Sequence, residues 1–151
     1  MTNCPKNNLL MTIATVTTDI NIGPFIIPAN GQNMIMNNYA QRNNLIVDLV
    51  IPEPFKSNAL ATVKWLQKEV KFKKIILCSI YQLPKEKKWI NEIKRNFKNV
   101  EFHFALEGIK GKGSFFLNKC IKEISIFEDI KIIESKDVKW TDLYKMMKDQ
   151  K

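Results

Sequence analysis

The run at residues 73–84, KKIILCSIYQLP, restricts the folds open to this chain more than any other stretch. Ile75, Ile76, Leu77, Cys78 and Ile80 form an apolar segment around one hydroxyl, Ser79, and the run closes in Tyr81, Gln82 and a proline. A short apolar run rich in β-branched residues, with helical patterns on both sides, marks a strand buried on both faces, as at the centre of a parallel sheet. Open α/β sheets bind ligands outside the carboxyl ends of their strands. Ser79, Tyr81 and Gln82 are therefore expected at the mouth of any site.

The rest of the chain alternates strand and helix patterns around that run. Strands are expected at 9–16, at 45–51 (closed by Pro52 and Pro54), at 99–106 and, briefly, at 130–133. Helices are expected at 32–44, from a cap at Ser57 or Asn58 to about residue 70, from Pro84 to about 97, at 114–127 and at 138–148. In the first helix Met34, Ile35, Tyr39 and Ala40 can gather on one face. The segment 19–31, with Gly23, Pro24, Pro28 and Gly31, reads as a long loop whose apolar patch, Phe25 to Ile27, can tuck onto the sheet. GIKGKG at 108–113 reads as a turn into the fourth helix. Strict alternation calls for a sheet covered on both faces, and right-handed crossovers leave few topologies. The expected fold is a single α/β domain over 1–151, a flavodoxin-like or resolvase-like three-layer sandwich. Its mostly parallel five-stranded sheet has the order 2-1-3-4-5.

Composition separates function classes. The formal charge of +9 favours an acidic partner, yet 22 of the 24 basic residues are lysine and only Arg42 and Arg95 are arginine. Sequence-specific nucleic-acid recognition leans on arginine for bidentate contacts, so specific binding of that kind is not expected. Cys4, Cys78 and Cys120 are odd in number and widely spaced, which fits reduced thiols in the cytoplasm and neither a disulfide framework nor a zinc site. No apolar run approaches the roughly 18 residues of a membrane span, so no membrane partner is expected.

The strand ends gather the polar candidates for ligand binding. Thr17, Glu53, Ser79 with Tyr81, and Glu107 sit at the carboxyl ends of four expected strands, and Gln32 and Asn33 open the first helix. Two carboxylates, hydroxyls and amides converging on one crevice can bind a polyhydroxylated ligand or supply acid and base chemistry. They also fit an ordinary set of polar loop ends. His103, the single histidine, lies inside a strand, where it is either a packed residue or a titrating member of the site. Without a second histidine or a cysteine motif a histidine-rich metal site or a triad is excluded, and the phosphate-binding glycine signatures are missing, which leaves any cofactor unknown.

Five segments in one order resemble the sporadic carbohydrate cluster proteins, a family encoded in surface-polysaccharide biosynthesis loci. They are Gln32–Asn33, Tyr39 with the residues RNNL at 42–45, Glu53, SIYQLP at 79–84 and EFHFALEG at 101–108. That family shows a Ser-Arg pair near the first strand end, where this chain has Thr17, Thr18 and Asp19. The resemblance implies a cytoplasmic protein of surface-carbohydrate biosynthesis that binds or acts on a sugar or nucleotide-sugar. Its alternative is a non-catalytic module that forms a homo-oligomer or binds a pathway enzyme. More distantly, the layout resembles the catalytic domain of resolvase-type serine recombinases. There TVTTD at 15–19 stands where an Arg-Val-Ser-Thr-Asp motif is expected, with Thr15 for the arginine and Thr17 for the nucleophilic serine. SIYQLP lacks the arginines expected after the third strand. This second resemblance thus implies a resolvase-like, nucleic-acid-binding fold without recombinase chemistry.

Overall fold

The computed structural model describes residues 11–53 and 60–135, and within them the chain alternates strands and helices. Strand β1 (Met11–Thr17) leads into a hairpin of two short strands, β2 (Asn21–Ile22) and β3 (Phe25–Ile26), and then α1 (Ala29–Arg42). Strand β4 (Leu49–Glu53), α2 (Ala61–Gln67) and β5 (Phe72–Leu77) follow. After β5 a 3-10 turn (Ile80–Gln82) leads to α3 (Lys87–Asn96), β6 (Glu101–Phe104), β7 (Ile109–Lys112) and α4 (Gly113–Ser135). The main sheet has the order β4-β1-β5-β6-β7; β1 pairs in parallel with β4 and β5, β5 with β6, and β7 runs antiparallel to β6. The apolar run at 73–84 thus supplies the middle strand.

Alternation along β1 sorts the core. Ala14 and Val16 face α1, where they meet Met36, Tyr39 and Ala40 together with Ile76 and Cys78 of the central strand region. Ile13, Ile75, Leu77, Phe102 and Phe104 face the opposite way, against Val63 of α2, Ile90 and Ile93 of α3, and Leu117, Cys120 and Ile124 of α4. Among the described residues one helix therefore covers one face and three cover the other, the three-layer arrangement that side chains alternating across a pleat produce.

The topology departs from the expected 2-1-3-4-5 through the β2–β3 hairpin, which adds two strands to the sequence order, and through the edge strand. Residues 130–133 lie inside α4, which continues about two turns beyond where its apolar spacing was expected to stop. The glycine-rich segment expected to be a turn is itself the edge strand β7. Gly111 makes this possible, because a Cβ there would run into the ring of Phe116 on α4. The second expected strand also shifts: β4 begins at Leu49 and includes Pro52. A proline costs a ladder hydrogen bond only where its missing N–H faces a neighbour, and β4 is an edge strand. In α1 the helix starts at Ala29, Met36 is buried, and Met34 is 72% exposed, so Met34 does not join the core face. The caps Ser57 and Asn58, the helix at 138–148 and the start of the first strand lie outside the described residues.

Candidate functional site

The carboxyl end of the sheet begins with a closed clamp. The side-chain amide of Gln32 is fully buried; its Oε1 accepts from the Thr17 N–H at 2.9 Å, and its Nε2 donates to the carbonyls of Thr17 at 3.1 Å and Ile27 at 3.0 Å. A primary amide offers an acceptor and two donors, so it copies a neighbouring strand for β1 just where the ladder stops. The Thr17 hydroxyl accepts from the Asp19 N–H at 3.2 Å and is buried with the rest of its side chain. Asn33, one residue on, is half-buried on α1.

Glu53 closes the next strand end. Helix α2 starts after Leu60, which has left-handed backbone (φ 59°) and offers no side-chain cap. The carboxylate of Glu53 takes that role from outside the helix: Oε1 accepts from Val63 N at 2.8 Å and Oε2 from Thr62 N at 3.2 Å. A carboxylate at a helix amino end satisfies orphan N–H groups and opposes the positive end of the dipole. Burial pushes the Glu53 carboxyl above its ordinary range, and these backbone hydrogen bonds pull in the opposite direction.

Ser79 and Glu107 meet between strands β5 and β6. Ser79 Oγ donates to Glu107 Oε1 at 2.6 Å and accepts from Tyr81 N at 3.3 Å, and Glu107 Oε2 accepts from Ile80 N at 3.3 Å. Gln82 completes a capping box by accepting from the N–H groups of Cys78 and Ser79. The residues Ser-Ile-Tyr-Gln match the S-x-x-Q pattern of that box, a signal legible in the sequence, and it makes Gln82 a structural residue where a site-mouth residue was expected. Cys78, just before it, is a buried thiol held up at about 12, chiefly by burial and then by the Glu107 carboxylate.

Tyr81 projects toward the β2–β3 hairpin. Its ring lies edge-on to Phe25 and Phe127, at 6.2 and 5.2 Å between centroids, and covers Gly23, whose left-handed turn (φ 57°) leaves no room for a Cβ. Burial, and then the carboxylates of Glu107 and Glu123, raise the Tyr81 phenol above its ordinary range. A cleft of about 210 Å³ beside it is lined by Asp19, Asn21, Lys85, Glu128 and Lys131 among others, and Lys85 pairs with Glu128 at 2.8 Å. Ile26, expected to tuck onto the sheet with Phe25 and Ile27, is 74% exposed.

His103 stands apart from this crevice, in the layer facing α1. The Glu101 carboxylate can only accept, so His103 Nε2 donates to it at 2.6 Å, and Nδ1 accepts from the Tyr39 hydroxyl at 2.7 Å. Burial lowers the imidazole below its ordinary value and outweighs the bond to Glu101, which keeps the ring neutral and both hydrogen bonds intact. The eight candidates thus fall into three groups: Thr17 with Gln32 and with Glu53, its register partner on β4, and Asn33 beside them; Ser79 with Glu107 and Tyr81; and His103 alone. Among the described residues no cluster of histidine, cysteine, aspartate or glutamate can hold a metal ion, and no helix is long and apolar enough to cross a membrane.

The end of β1 also carries Thr17, the residue that the resolvase-like resemblance sets in place of a nucleophilic serine. Thr17 is 3% exposed, its hydroxyl is engaged, and neither arginine of the chain lies at a strand end: Arg42 is on the last turn of α1 and Arg95 on that of α3. No family model matches the chain, and no curated protein matches it. Among solved structures it is similar to one described as the N-terminal catalytic domain of TP901-1 integrase. The TM-score is 0.54 at 12% identity, over 83% of this chain and 97% of that one. The chain shares the fold of that integrase domain. This likeness corrects the expected role in surface-carbohydrate biosynthesis: the resemblance to sporadic carbohydrate cluster proteins finds no support, and the structural relative is an integrase catalytic domain. A sugar ligand and a homo-oligomer gain no support either.

Proposed function

We propose that this chain is a non-catalytic domain of the recombinase-type fold that binds nucleic acid through its backbone, without cutting it. The observation that carries the reading is the closed end of β1. In a phosphoryl-transfer site the attacking hydroxyl must be exposed and surrounded by cations that stabilise the charge of the transition state. Here the hydroxyl at that position belongs to a buried threonine that accepts a backbone N–H, and the backbone on both sides of it is held by Gln32. What remains of the fold's capacity is binding, and a net charge of +9 supports a polyanionic partner. The shortage of arginine argues for phosphate contacts and against base reading.

Two assays test the proposal together. Anisotropy of a fluorescent duplex should show binding that weakens steeply between about 50 and 200 mM salt, as counterion release requires. Incubation with supercoiled plasmid should give neither nicks nor a covalent protein–DNA adduct. An adduct that disappears in Thr17→Ala would overturn the non-catalytic reading. Absence of duplex binding even at low salt would overturn the binding function.

A further inference from the structure

The amino end of the sheet carries a different set of groups. Helices α2 and α3 finish side by side there, and Gln67 Nε2 donates to the Asn96 carbonyl at 2.7 Å, tying the two ends together. Beneath that link lies a groove of about 460 Å³ lined by Lys71, Lys73, Arg95 and Lys98, with neutral amides beside them and a floor of Phe72 and Val100. Phe72 and Val100 are buried, so the groove has a fixed apolar base and a cationic rim.

Two ordinary explanations cover part of this charge. Cations are favoured at helix carboxyl ends, each of which carries roughly half a negative charge, and two helices end here. Together they neutralise about one of the four cations. Surface lysines are also commonly paired, as Lys64 is with Glu92 at 3.2 Å. Among the described residues, however, none of Lys71, Lys73, Arg95 and Lys98 forms an ion pair, and no carboxylate lines the groove. Roughly three uncompensated positive charges therefore converge on one concave surface. The groove also holds one of the two arginines in the sequence.

We infer that this groove, at the sheet end opposite the Thr17 and Ser79 crevice, is the surface that grips the phosphates of duplex nucleic acid. The inference rests on the nucleic-acid reading above and adds where the duplex is held. A duplex fits better than a single strand because, among the described residues, the groove's one aromatic ring is Phe72, which is buried and offers bases no platform on which to stack. Cations and neutral amides are the groups that bind phosphate and sugar oxygens, and they position a duplex without reading its sequence.

The test measures duplex affinity against salt for three proteins: the native chain, a groove variant (Lys71→Gln, Lys73→Gln, Arg95→Gln and Lys98→Gln together) and a control variant. The control carries Lys87→Gln, Lys110→Gln, Lys112→Gln and Lys122→Gln, all at exposed positions elsewhere, and loses the same charge. The groove variant should bind at least tenfold more weakly at low salt, and its slope of log affinity against log salt should flatten by about 3, near 0.9 for each phosphate no longer neutralised. The control should keep most of the native slope, and both variants should melt as the native chain does. If the two variants lose affinity equally, the binding is spread over the whole surface and the groove assignment is wrong, while nucleic-acid binding stands. If the native chain does not bind at all, both readings fall. Competition by polyglutamate as effective as the duplex would assign the groove to an acidic protein and overturn the inference.

Discussion

At the carboxyl end of the sheet, Gln32, Glu53, Ser79, Gln82 and Glu107 direct their polar atoms at backbone groups and at one another. At the amino end, Lys71, Lys73, Arg95 and Lys98 surround a groove that no carboxylate lines among the described residues. The first region looks like a binding site in the sequence because its residues are polar and fall at strand ends. Its hydrogen bonds show groups already satisfied, and a satisfied buried group gains little by exchanging its partner for a ligand. The second region looks like ordinary solvated lysine in the sequence, and becomes distinctive when the fold brings charges from α3, the loop after it and the start of β5 together. Polarity alone is a poor guide to a site; unneutralised charge on a concave surface is a better one.

Gln32 separates the two ends of the sheet most sharply. Gln32→Leu removes three hydrogen bonds, two of them to the buried backbone of Thr17 and one to the half-buried Ile27 carbonyl, so denaturant unfolding should show a loss of about 3 kcal/mol. The surviving folded fraction should still bind duplex with native affinity. A stable variant that has lost binding would place the site at the carboxyl end after all. Ser79→Ala should cost less, about 1 kcal/mol, because one side-chain hydroxyl is lost from a capping network that keeps its glutamine. Its duplex binding, too, should be unchanged.

A gain is expected nearby. The hydroxyl of Thr15 is buried and has no hydrogen-bond partner among the described residues, so Thr15→Val, of nearly the same shape, should raise stability by about 1 kcal/mol. A loss of stability instead would show that the hydroxyl has a partner the core conceals.

The smallest expected effect is a pH dependence. Burial lowers the folded-state imidazole of His103 below its ordinary 6.5. Above that value the ring is neutral in both folded and unfolded chains, and its contribution to stability is fully present. As pH falls through 6.5, the unfolded chain takes up the proton first, and stability declines until the folded-state value is reached. Melting temperatures measured across this window should fall less in His103→Gln than in the native chain. An identical decline in both would assign the effect to other groups.

The centre of the fold is legible in the sequence and its edges are much less so. KKIILCSIYQLP announces the middle strand because burial on both faces leaves an unbroken apolar run, and the helices flanking it repeat their apolar residues at helical spacing. Edge strands carry no such mark. β4 runs through Pro52, and β7 is four residues with a glycine, so ordinary strand rules place the first too early and miss the second. The roles of the candidate residues are hidden for a related reason. That Ser79 and Gln82 form a capping box can be read from their spacing, but Glu53 capping α2, Gln32 bridging from α1 to β1, and Glu107 reaching Ser79 join separate elements. Only the folded chain shows whether such side chains point at a ligand or at each other.

Lysine reactivity is the most direct test of where a duplex is held, because it reports on both ends of the sheet in one experiment. The protein would be acetylated briefly with and without saturating duplex at low salt, and the modification of each lysine read by mass spectrometry. Binding in the groove predicts strong protection of Lys71, Lys73 and Lys98, with Lys85 and Lys131 beside the Tyr81 cleft modified at the same rate in both samples. Protection of Lys85 and Lys131 with unchanged reactivity in the groove would contradict it.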